Sequence, residues 1–70
     1  MDLSTILHRD PEILGGTPVF RGTRIPVDAL WGYLRDGFPL SEFEEDFPQV
    51  PAEHLRHLIA LAEEKVAAAA

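Results

Sequence analysis

Glycine and proline are placed so unevenly along this chain that they divide it into two kinds of structure. All five glycines fall between residues 15 and 37, and four of the six prolines precede residue 40. Proline removes a backbone donor and fixes φ, and glycine admits conformations closed to other residues. Strands or extended segments are therefore favoured over the first 25 residues and helices after them. Thr5 to His8 reads as a short strand, with turns at Asp10-Pro11-Glu12 and Gly15-Gly16-Thr17-Pro18. Pro18-Val19-Phe20 and Thr23-Arg24-Ile25 flank Arg21-Gly22, which predicts a tight hairpin with Gly22 at positive φ. So short a hairpin is marginal alone, so this arm must pair or pack against something else.

From Val27 the apolar spacing becomes helical. Val27, Leu30, Trp31 and Leu34 share one face, Asp28 suits the helix start, and Gly37 stands where a left-handed cap is expected, with Pro39 after it. Ser41-Glu42-Phe43-Glu44 has the form of a capping box opening a short second helix; Phe43 and Phe47 lie on its inner side and Pro48 ends it. Pro51 fits the first position of a third helix, whose stripe is Leu55, Leu58, Ile59, Ala62 and Val66, and whose alanine tail is expected to fray. The fold class expected is mainly α (α+β): a single domain over 1–70, with a β-hairpin arm over 1–26 and a three-helix, helix-turn-helix-like core over 27–70. Trp31, Leu34, Phe43, Phe47, Leu55, Leu58 and Ile59 are its expected buried residues.

Seventy residues bury only a modest core, since a chain of this size hides roughly 60% of its unfolded surface. Cysteine is absent, so neither disulfides nor thiolate-held metal reinforce that core. A partner chain is the remaining source of stability, and a homodimer pairing its arms across a two-fold axis would repair the exposed strand edges. The same size leaves little room for an enclosed catalytic cleft. The serines are Ser4 and Ser41, no lysine follows Gly16 or Gly22 as a phosphate loop requires, and Glu44, Glu45 and Asp46 point in different directions around a helix. No enzyme activity and no cofactor are expected.

The net charge is −6, and all of it arises in residues 36–70, where Arg56 and Lys65 face eight acids. Nucleic acid or an anionic membrane would be repelled by that half, so any phosphate contact must use local basic groups. No apolar run approaches the ~20 residues of a membrane span. Met1-Asp2-Leu3 lacks the basic start of a secretion signal, so the cytoplasm is the expected compartment. The cluster Glu42, Glu44, Glu45 and Asp46 reads as a solvated helix face or as a contact for a basic partner. His54 and His57 share a helix face, which would bind metal only if further ligands converged; no metal site is expected. With Arg56 they also mark the start of the third helix, where a helix-turn-helix protein meets DNA.

The densest stretch is GGTPVFRGTRI, from Gly15 to Ile25. It is either a hairpin with turn chemistry alone, or a mount that presents Arg21 and Arg24, with Thr23 between them, to a phosphate or carboxylate.

The run GGTPVFRGTRIPVDALWGYLRDG, the short acidic helix, Phe47-Pro48 and PAEHLRHLIALA together resemble the domain-of-unknown-function family 433. Gly16, Pro18, Gly22, Thr23, Arg24, Ile25, Val27, Gly37 and Pro48 fall on that family's pattern, as do Ile6 and Asp10-Pro11-Glu12-Ile13. Val50 departs from it, standing where Ser or Thr tends to cap the last helix, a loss of ~1 kcal/mol. The resemblance implies a small helix-turn-helix-like prokaryotic protein of the VapB antitoxin type. Its expected partner is a small PIN-like nuclease toxin, and self-repression would add operator DNA. A DNA-binding regulator without a toxin, or a plain dimerisation module, are the alternatives.

Overall fold

The computed structural model describes residues 2–69. In chain order these form a one-turn helix α1 (Leu3–Ile6), strand β1 (Leu7–His8), a 3-10 turn (Leu14–Gly16), strand β2 (Val19–Phe20), and helices α2 (Val27–Arg35), α3 (Leu40–Asp46) and α4 (Ala52–Ala69). The domain is mainly helical, with one small antiparallel sheet at its N-terminal end.

That sheet differs from a plain hairpin. β2 pairs with β1, Leu7 opposite Phe20 and His8 opposite Val19. The return leg after the turn is bound more lightly, by the Val19–Pro26 bridge and by bonds from Phe20 N–H to the Ile25 carbonyl (2.9 Å) and from Val27 N–H to the Pro18 carbonyl (3.0 Å). β2 is thus hydrogen-bonded along both edges within one chain. Thr5 and Ile6, expected in a strand, belong instead to α1. A one-turn helix leaves its carbonyls without partners, and Arg21 takes two of them: its N–H donates to the Ile6 carbonyl and its Nε to the Ser4 carbonyl, each at 2.8 Å.

Helix α2 ends as its glycine predicts. Gly37 has φ +84°; its N–H donates to the Leu34 carbonyl and that of Phe38 to the Tyr33 carbonyl. These are the two bonds of a Schellman cap. Tyr33 and Phe38 supply its apolar contact, with ring centroids 5.7 Å apart.

The capping box at Ser41 does not form. Pro39 already has the extended backbone of a helix-flanking residue, and Leu40, packed against the core, is drawn into the first turn. Ser41 is therefore inside the helix, which has no side-chain cap. Pro51 is likewise one place earlier than expected: its carbonyl accepts from His54 and Leu55, which makes it the residue flanking α4. Val50, one position further out, is 3% exposed and shares a core cluster with Leu55. That is the hydrophobic staple, in which the residue before the cap packs on the fourth helical one, so Val50 anchors the helix entry instead of failing to cap it. Helix α4 runs on through Ala69, so most of the alanine tail expected to fray is helical; Ala70 lies outside the described residues.

The buried apolar residues are Ile6, Val19, Phe20, Leu30, Phe43, Val50, Leu55 and Leu58. Phe43 is central to them, with ring centroids 4.7 Å from Phe47, 5.2 Å from Tyr33 and 6.0 Å from Phe20. Of the residues expected inside, Phe43, Leu55 and Leu58 are buried, Trp31, Phe47 and Ile59 are half-buried, and Leu34 is exposed. The core meets α2 along its Leu30 edge, which leaves Leu34 at the rim.

Candidate functional site

The turn after β2 is held by its own side chain. Thr23 N–H donates to the Phe20 carbonyl at 2.9 Å, closing a four-residue turn in which Gly22 takes φ +82°. A positive φ at the third position is the type II geometry that glycine favours. The Thr23 hydroxyl donates to the same carbonyl at 2.7 Å and accepts the Ile25 N–H at 3.1 Å. The hydroxyl thus both donates to and accepts from the backbone on either side of Arg24.

Arg24 itself is exposed. Among the described residues the one ion pair joins Arg35 to Asp28 at 3.9 Å, so Arg24 has no carboxylate partner among them. Arg21 is exposed too, but its Nε is anchored on Ser4, which fixes the guanidinium and leaves its two Nη groups for other contacts. The candidate trio thus separates by role: Thr23 builds the turn, Arg21 both braces it and displays charge, and Arg24 displays charge alone.

Two basic groups nearby escaped the sequence reading. His8 and Arg9 line a shallow cleft of about 290 Å³ with Ser4 and Pro18, beside the carbonyl that Arg21 grips. Recognising them required knowing that Leu7–His8, and not Thr23–Ile25, is the main partner of β2, and no local pattern signals that pairing.

The second candidate set is less coherent. Arg56 is exposed in the second turn of α4, whereas His54 and His57 are half-buried, with His54 Nδ1 buried and lacking a hydrogen-bond partner. The two histidines share a face that Arg56 does not. Among the described residues no three His, Cys, Asp or Glu side chains converge as a metal site, and no helix is long and apolar enough to cross a membrane.

Away from both sets, Tyr33 donates its hydroxyl to Asp46 at 2.6 Å, tying α2 to α3. This bond, with some desolvation and the charges of Asp46 and Glu42, raises the phenol's pKa above its ordinary 10.0.

The sequence profile of family DUF433, described as a protein of unknown function, matches residues 7–62. The crystal structure of a DUF433 member protein from Anabaena variabilis superimposes with a TM-score of 0.72 at 32% identity, covering 89% of this chain and 61% of that one. The uncharacterized protein y4eO of Sinorhizobium fredii is 41% identical over 51 residues, 73% of this chain but 23% of that protein. The chain therefore spans about a quarter of that curated relative and under two thirds of the crystallised one.

Proposed function

Starting from the family to which the chain belongs, DUF433, we propose that it is a cytoplasmic antitoxin that binds and inhibits a PIN-like ribonuclease toxin. The observation that carries the reading is Arg24: an exposed guanidinium, with no carboxylate partner among the described residues, on a turn whose backbone is hydrogen-bonded on both sides of it. A side chain presented from a fixed mount loses little further freedom on binding.

A PIN-like site gathers carboxylates to hold Mg²⁺ for hydrolysis. A guanidinium fits such carboxylates with two parallel charge-assisted bonds, takes the place of the metal's charge, and supplies no activated water. Arg24 is the inserting group in this reading. Arg21, with its Nη groups, reinforces it from the side.

The test is inhibition of the ribonuclease recovered as this protein's stoichiometric partner. Arg24→Ala is expected to weaken inhibition by about 30-fold or more, as loss of one buried charge partner costs ~2–5 kcal/mol. Arg21→Ala is expected to weaken it less. Unchanged inhibition by both variants rules the arginine mechanism out. The DNA-binding reading has less support, because Arg56 is the one exposed cation of its trio. With the arm arginines Arg21 and Arg24 joining α4 on phosphates, it predicts an operator complex whose affinity falls strongly with salt, the slope set by the few phosphates contacted.

A further inference from the structure

Helix α4 outruns the fold that holds it. Leu55 and Leu58 are buried and Ile59, Leu61 and Ala62 half-buried, but every side chain from Glu63 to Ala67 is exposed. The apolar spacing nonetheless continues: Leu55, Ile59, Ala62, Val66 and Ala69 alternate at intervals of four and three. That is the seam of a helix that packs against other helices. Val66, on this seam, is 70% exposed. A free helical end of about two turns is marginal in water, even when rich in alanine.

Two apolar grooves flank the seam. One, of about 400 Å³, lies between α1, α2 and α4; the other, of about 410 Å³, lies between α2 and α4, and Trp31 and Ala62 line both. Of the five exposed large hydrophobic residues among those described, Leu3, Leu34 and Val66 line this one face. Such clustering marks an interaction surface, whereas scattered exposed leucines do not.

We infer that this face is a two-fold interface with a second copy of the chain, α2 and α4 of each protomer packing together as four helices. The size sets the strength. Twelve residues of α4, Leu58 to Ala69, run ~18 Å, and two packed helices are ~20 Å across. Such a footprint is ~360 Å² per copy, in the range of a weak, concentration-dependent association. Charge selects the occupant. The grooves hold only Asp2, Glu63 and Lys65 as charged residues, whereas Glu42, Glu44, Glu45 and Asp46 belong to α3. A strongly basic partner would be drawn to α3, and this nearly neutral face suits a copy of itself. The arm is not needed for the pairing, since β2 is already bonded on both edges. The inference is independent of the ribonuclease reading, because neither Arg21 nor Arg24 lines either groove.

Sedimentation equilibrium of the full chain, from about 1 to about 200 µM, tests it. The expected mass rises towards that of a dimer over this range. Val66→Glu and Leu34→Glu, both at exposed positions that the monomer fold tolerates, are each expected to weaken association by about 100-fold. Glu45→Lys on α3 leaves it unchanged. Amides of residues 60–69 are expected to exchange more slowly as concentration rises. A monomer across the whole range, or a dimer that neither variant weakens, overturns the interface.

Discussion

Thr23 shows how much a single oxygen can settle. Its hydroxyl both donates and accepts within the turn, so a valine of nearly the same shape loses both bonds without opening a cavity. Thr23→Val is expected to lower stability by ~1–3 kcal/mol, because it also strips a partner from the half-buried Ile25 N–H. Urea denaturation measures this, and Thr23→Ser should recover most of the loss; if serine is as damaging as valine, the hydroxyl is not what holds the turn. Tyr33 makes a prediction of a different kind. Its hydrogen bond to Asp46 favours the neutral phenol in the folded state, so the folded pKa exceeds the unfolded 10.0. The folded chain then keeps a proton that the unfolded chain releases. The resulting stabilisation is complete below pH 10.0 and is lost as pH climbs through the raised folded value. Absorbance at the tyrosinate band should show this residue, the only tyrosine in the chain, titrating above its ordinary range. Asp46→Asn should bring the midpoint back down, and an unmoved midpoint would mean that some other group raises it.

Among the elements, those closed by glycine are legible from sequence and those closed by packing are not. Gly22 and Gly37 have positive φ where turn and cap require it, and no other common residue fits both positions so cheaply. Ser41 and Val50 mislead for the opposite reason. A serine ahead of Glu44 has the right spacing for a cap, yet the helix start is decided by Pro39 and by the burial of Leu40. Val50 reads as a missing cap until its burial beside Leu55 is known. The difference is measurable. Val50→Ser trades a packed side chain for a hydroxyl at a 3% exposed position, and is expected to destabilise by ~1–3 kcal/mol. Were serine to stabilise the domain, capping would outweigh the staple. The turn that carries Arg24 is likewise visible in advance, since Gly22 and Thr23 announce it. Its supports are not: Arg21's grip on Ser4 and the strand Leu7–His8 depend on residues 11 to 17 positions away, and local periodicity carries no information at that range.

For the molecule as a whole, the arm and the helices share one core. Ile6 and Phe20 come from the arm, Leu30, Phe43, Leu55 and Leu58 from the three main helices, and all six belong to a single cluster. Phe43 joins the two parts, since its ring meets Phe20 of the arm as well as Tyr33 and Phe47 of the helical part. Neither part has a second core to fall back on, so arm and helices must unfold together. Ile6 tests this most cleanly: it lies at the end of α1, is fully buried, and contributes nothing to the helices' own hydrogen bonding. Ile6→Val should cost ~0.5–1.5 kcal/mol and leave a folded domain. Its effect should register equally in far-UV circular dichroism, which follows α2 to α4, and in the fluorescence of Trp31, 25 positions away in sequence. Coincident shifts of the two transitions are the expected result. If both helical signals keep their midpoints while a probe placed within the arm moves, the arm is an appendage. The Arg24 turn would then lack the rigid mount on which its proposed role depends.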